Sequence, residues 1–299
     1  MSSELNIAGV TIMKKYSGSL KELTSGNNKE FLSLQVHYDN GKVSKELRYD
    51  KNSNLEEEHE FIYDENGKLI MHNWVMPQDE VEQSEKTERD EKGRVVREVK
   101  LYYGEEGEST SYEYDDKGRL IHISHRDEEG ELVQQEKLEY NDSDKVTTAS
   151  MFDPADKKIS STTYIYNEQG LLTGQTEFDA AGNKISETVV EIDEKGNDAK
   201  LVQFNAKGAV TQRIINTYDD AGRVVKKLAS GSFTRIYIYE YDDAGRLIDE
   251  LTTDENNNAI SRSTYEFDEN GRVVHETVYE MDLTHSGRDL AMAYRYEYN

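Results

Sequence analysis

Residues 113–120 read EYDDKGRL, and the phrase returns as IYDENGKL at 62–69, TYDDAGRV at 217–224, EYDDAGRL at 240–247 and EFDENGRV at 266–273. Its chemistry is that of a hairpin tip. In Asp115-Asp116-Lys117-Gly118 the first Asp is placed to accept the backbone N–H two residues on, as in an Asx-turn. The middle pair suits type I dihedrals, and Gly takes the left-handed conformation that closes a bulged hairpin. Tyr114 before the turn and Leu120 after it are expected to face each other across the strands. Asp153-Pro154-Ala155-Asp156 fits the same frame, with Pro where its fixed φ suits the turn.

Working outward, the residue before each turn recurs at regular steps. From Tyr114 the anchors are Arg126, Tyr140, Phe152, Tyr166, Phe178, Ile192, Phe204 and Tyr218, alternating steps of 12 and 14 residues. The pattern predicts a 26-residue repeat of two turns and two strands. Tyr38, Tyr49, Tyr63, Arg89 and Tyr103 precede this run, and Tyr241, Thr253 and Phe267 follow it. A weaker turn at Ser230-Gly231-Ser232 fills one missing beat, and Trp74 and Pro77 mark a second break, read as a bulge or an insertion. Between turns lie segments such as KISSTTYIY (158–166) and RVVHETVYE (272–280), rich in β-branched and aromatic residues as strands are.

The expected fold is therefore all-β: an elongated antiparallel β-hairpin meander, a single-layer or spirally coiled sheet. Uncurled, its repeats would extend on the order of 80–90 Å at about 4.8 Å per strand. Residues 1–36 are expected to form an N-terminal cap, 37–281 the hairpin repeats and 282–299 a C-terminal cap with a short helix and a final strand. Such caps are expected because a sheet's terminal strands carry unpaired backbone groups. Composition agrees with a thin structure. Only 35% of the 299 residues are hydrophobic and 32% are charged, and the mean hydropathy is −0.89. In the segment 131–140 both faces are polar at mid-strand, so neither demands a packed second layer.

Acidic residues number 61 against 36 basic ones, a net charge of −25. That field repels nucleic acid and anionic membranes and favours basic proteins. There is no Cys, which removes disulfides and thiolate metal sites. The opening MSSELNIAGVTIMKKYSG lacks the pattern of a secretory signal, so the chain as encoded is expected in the cytoplasm.

The YDDKGRL, YDDAGRV and YDDAGRL phrases, carried by Tyr114, Asp115, Gly118 and Arg119 and their equivalents at Tyr218, Tyr241 and Phe267, resemble the YD repeat of the bacterial RHS (rearrangement hot spot) family. They are also somewhat similar to the MORN-variant repeats of some bacterial antitoxins. The RHS resemblance covers most of 37–281 and implies β-hairpins in a long spiralling sheet, without catalytic residues. The repeat is longer than is usual in the family, and the wall is short for a closed shell. Hairpin geometry is what the resemblance implies here, and encapsulation is not.

Candidate sites are few. His122 and His125 lie three apart on a strand and point to opposite faces, so they do not share a metal. Residues 254–258, DENNN, are rich in Ca²⁺-type ligands but lack the EF-hand loop pattern. Phosphate-loop and nucleophile-elbow motifs are absent. Phe233, Arg235, Tyr237, Tyr239 and Tyr241 form an aromatic stripe that reads either as a local mini-core or as a protein- or sugar-binding platform. The function expected is a non-enzymatic repeat protein, without cofactor, presenting an acidic surface to another macromolecule. An immunity-like inhibitor of a basic nuclease is the alternative, and a carbohydrate binder the third.

Overall fold

The computed structural model describes residues 9–19, 29–79, 81–281 and 290–299, and among them there are strands and turns but no helix. The strands are β1 (Ile12–Ser19), β2 (Phe31–Asp39), β3 (Lys42–Tyr49), β4 (Leu55–Tyr63), β5 (Leu69–Met76), β6 (Val81–Arg89), β7 (Val95–Tyr102) and β8 (Glu105–Tyr114). There follow β9 (Leu120–Arg126), β10 (Leu132–Tyr140), β11 (Val146–Phe152), β12 (Lys158–Tyr166), β13 (Leu172–Asp179), β14 (Lys184–Ile192) and β15 (Asp198–Asn205). The last are β16 (Val210–Tyr218), β17 (Val224–Ser230), β18 (Thr234–Tyr241), β19 (Leu247–Thr253), β20 (Ala259–Phe267), β21 (Val273–Glu280) and β22 (Leu290–Tyr298).

Each strand pairs antiparallel with the next in sequence, the meander that consecutive hairpin tips dictate. The predicted cross-strand pairs are present: Tyr114 lies opposite Leu120, Tyr140 opposite Val146 and Tyr218 opposite Val224. In each case the register shifts by one residue beside the Tyr, the bulge that a left-handed residue at the tip produces, here Gly118, Asp144 and Gly222. One anchor and the expected break near Trp74 differ from expectation. Tyr103 sits in a two-residue turn with Gly104, both at positive φ. Trp74 lies in unbroken register between His59 and Gln83, and Pro77 follows the end of β5, so neither marks a bulge or an insertion.

The sheet is coiled, one of the two forms expected, but it closes rather than running elongated between two capped edges. β1 pairs with β22 from Met13–Tyr298 to Ser19–Met292, and the 22 strands close on themselves. The described parts of the expected caps, β1 and β22, are thus strands of the same sheet, and residue 36 lies inside β2. The helix expected near the C-terminus falls at 282–289, outside the described residues. Closure satisfies the edges with backbone bonds rather than covering them. At about 4.8 Å per strand the girth is about 106 Å, or about 34 Å across before strand tilt widens it.

The sheet is thin. A compact chain of 34.4 kDa exposes about 13,000 Å², whereas this one exposes 18752 Å². Val99 is the one large side chain below 2% exposure among the described residues. Stability therefore rests on ladders and cross-strand pairs more than on a core.

At the closing seam, side chains on each face reach past the neighbouring strand. Lys15 on β1 lies over the Tyr294 ring of β22, 3.8 Å from its centroid, and pairs with Glu276 of β21 at 3.4 Å. The Tyr296 hydroxyl donates to the same carboxylate at 2.6 Å. Burial first, then Glu276, pushes that hydroxyl's pKa far up. In the opposite direction, Arg295 of β22 stacks over Tyr16 of β1 at 4.3 Å and donates to Glu30, just before β2, at 3.0 and 2.8 Å.

Candidate interaction surface

The hairpin corners show what their repeated residues do. At 219–223 the Asp219 N–H donates to the Arg223 carbonyl at 2.9 Å and the Gly222 N–H donates to the Asp219 carbonyl at 3.0 Å. One Asp219 carboxylate oxygen accepts the backbone N–H of Ala221 and of Arg223, each at 2.9 Å. The other accepts Nε of Arg223 at 2.7 Å. Clamped in this way, Arg223 lies over the Tyr241 ring at 4.6 Å, and the Tyr241 hydroxyl donates back to the Val224 carbonyl at 2.9 Å.

The unit recurs. Arg94 roofs Tyr114, Arg119 roofs Tyr140, and Arg272 roofs Tyr298. Their hydroxyls donate to the carbonyls of Val95, Leu120 and Val273 at 2.8, 2.6 and 2.8 Å. The last contact carries this rim to β22, the strand that forms one side of the seam. Backbone N–H bonds and the Arg guanidinium hold the corner carboxyls below the ordinary range: the Arg119 backbone N–H leads at Asp115, and the Arg246 side chain leads at Asp242.

Two departures are informative. Arg89 stands where a Tyr is expected, and its guanidinium reaches the Leu69 and Gly93 carbonyls at 3.4 Å each, leaving Nε buried without a partner. Further along, Leu171 and Ile192 replace the Arg and the Tyr, with Leu171 leaning toward Gly196. There the polar ladder is interrupted.

The predicted stripe is only partly assembled. Phe233 lies in the turn between β17 and β18, 75% exposed, with Arg235 5.7 Å from its ring. Arg235, Tyr237 and Tyr239 pair in register with Ala229, Lys227 and Glu250, and Lys227 lies over Tyr237 at 5.4 Å. Burial, then the Glu250 charge, pushes the Tyr239 hydroxyl up to about 12. Tyr241 belongs to the corner ladder. A cleft of about 300 Å³ between neighbouring tips is lined by Phe233, Arg235, Asp254 and Glu255.

His122 bonds Glu113 and Gln135 while His125 bonds Thr110, so the two diverge as expected. In 254–258, Asp254 accepts the backbone N–H of Asn256 and Asn258 at 2.8 Å and the Asn258 amide at 2.8 Å. Its oxygens serve the turn.

One cluster was not anticipated. On β4 and β5, His59 Nδ1 and His72 Nε2 lie 3.0 Å apart, and Glu57 meets the other nitrogen of His59 at 3.3 Å. Phe61 stacks on His72 at 4.5 Å, with Trp74 alongside at 6.1 Å. Burial, reinforced by His59, holds the pKa of His72 down. Pairing HEF (59–61) with HNW (72–74) across the hairpin would have revealed it. A second concavity, of about 500 Å³, lies beside β7 and β8, lined by Glu85, Glu98, Lys100, Thr110 and His125. Gly107 is required nearby, because a Cβ there would meet the Tyr102 ring at 2.6 Å.

Antiparallel hairpins joined by Tyr-Asp corners into a coiled sheet define a YD/RHS repeat protein. Residues 5–186 match the Teneurin YD-shell family and 218–259 match the RHS repeat; the chain belongs to the Teneurin YD-shell family. It is similar to the TcdB2-TccC3 toxin complex lacking its hypervariable C-terminal region, at 13% identity and TM-score 0.37 over 91% of this chain and 19% of that one. It is also similar to a porin-like protein from Bacteroides uniformis, at 13% identity and TM-score 0.34 over 97% and 96% of the two chains. A further similarity is to the Photorhabdus luminescens Tc holotoxin pore, at 11% identity and TM-score 0.23 over 88% and 21%. The chain spans about a fifth of the length of the Tc toxin chains it matches. No curated protein sequence matches it.

Proposed function

We propose that the protein is a non-enzymatic scaffold whose closed sheet holds another polypeptide, one with an excess of positive charge. The observation that carries this reading is closure of a thin sheet with few buried side chains in a chain with a net charge of −25. A ring of that girth leaves an opening wide enough for an extended or partly folded segment, and its field draws cationic chains in. Commitment of the corner Asp and Arg groups to turn bonds supports a scaffolding role for the repeated residues. In this reading the 26-residue pair of turns is the building unit, and Phe233, Arg235, Tyr237 and Tyr239 give the partner an aromatic contact at one tip.

Calorimetric titration tests it, with an unfolded lysine-rich polypeptide, a glutamate-rich one, and an unrelated folded protein of equal net charge as reference. The expected result is binding of the cationic chain at least about tenfold tighter than by the reference, weakening between 50 and 200 mM salt and on Phe233→Ser. Equal affinity for the reference protein, or for the glutamate-rich chain, overturns it.

A further inference from the structure

Every neighbouring strand pair but one is joined by the chain that runs directly between its two strands. The exception is β1–β22, whose partners lie far apart in sequence. The edges that meet there are complementary in register over Met13–Ser19 and Met292–Tyr298, and they are equally complementary when they belong to different molecules. Closing them within one chain restricts the longest loop in the molecule, whereas each hairpin closes a short one.

The side chains at this joint are specific to it. Lys15 reaches past β22 to Glu276, and Arg295 reaches past β1 to Glu30. Both ion pairs link the two ends of the sheet, so they form whether the far strand is supplied by the same molecule or by another.

We propose that the β1–β22 seam is an exchangeable interface that accepts the matching edge of a second copy of this chain, so that the sheet closes as a ring of one chain or of two. The two-chain ring holds the same ladders and both ion pairs twice over, with gentler curvature per strand. The inference does not depend on the polypeptide-holding reading above.

Charge exchange tests it. In Lys15→Glu a carboxylate faces Glu276, and in Glu276→Lys an ammonium faces Lys15, so neither variant closes well alone. In a two-chain ring of the pair, one seam sets Glu against Lys and the other restores the native pair. The variants are unfolded together in urea, refolded as an equimolar mixture and sized by light scattering. The expected outcome is a species of twice the 34.4 kDa chain mass, enriched at least about tenfold over either variant refolded alone. The double variant Lys15→Glu/Glu276→Lys is expected to refold as a single-chain ring. A mixture holding no more of the two-chain species than the separate variants overturns the proposal, whether those variants fold alone or aggregate. A second readout uses Ser17→Cys and Tyr294→Cys, register partners at the seam, placed on separate chains. A disulfide-linked pair after co-refolding supports exchange, and its absence counts against it.

Discussion

A hydroxyl on a carbonyl and a guanidinium over a ring recur along the rim, and each has a measurable worth. Tyr140→Phe removes the bond to the Leu120 carbonyl and leaves the ring under Arg119. It is expected to lower stability by about 1 kcal/mol, read as a shift of the urea midpoint at constant slope. Arg89→Tyr works in the other direction. It restores the residue that the Leu69 carbonyl elsewhere meets and removes a buried Nε–H without a partner, and it is expected to stabilise by about 1 kcal/mol. A lower midpoint for Arg89→Tyr would show that the guanidinium has a use the corner geometry does not explain.

At the scale of the hairpin, the Asp corner and the Gly are separable. Gly118 sits at φ +85 with open space apart from the Arg94 side chain 3.5 Å from where a Cβ would lie. Gly118→Ala is therefore expected to cost about 1–2 kcal/mol through backbone conformation alone, while keeping strand content by circular dichroism. These corners are legible because local chemistry determines them: an Asp, two turn residues and a Gly make a hairpin with little help from the rest of the molecule. The role of the following Arg was harder to see, since its ring partner, Tyr140 for Arg119, lies two strands away. The His59–His72 contact needs the register of β4 and β5 to be known first, and Tyr103 misled because an aromatic before a Gly looks the same in a turn as at a strand end.

For the whole molecule, the corners act together on acid stability. Nine corner aspartates titrate below their ordinary value in the folded chain. A depressed carboxylate contributes fully above the unfolded value, about pH 4, and that contribution is lost as pH falls through the folded values. The lowered pKa of His72 has the same sign and acts earlier, as pH drops below about 6.5. The urea midpoint is thus expected to fall slightly between pH 7 and 5 and steeply below pH 4; a midpoint unchanged at pH 3 would mean that the corner bonds stabilise nothing. Closure could not be read from the pattern, because each repeat specifies only its neighbours and nothing in Ile12–Ser19 announces Leu290–Tyr298 as its partner. That joint has a consequence for biosynthesis. At about 5–20 residues per second, the ribosome takes roughly fifteen seconds to a minute to deliver the last strand after the first has emerged. Through that interval the leading strand shows a bare hydrogen-bonding flank to whatever else the cell is making, and slowing translation late in the message should increase its capture by chaperones.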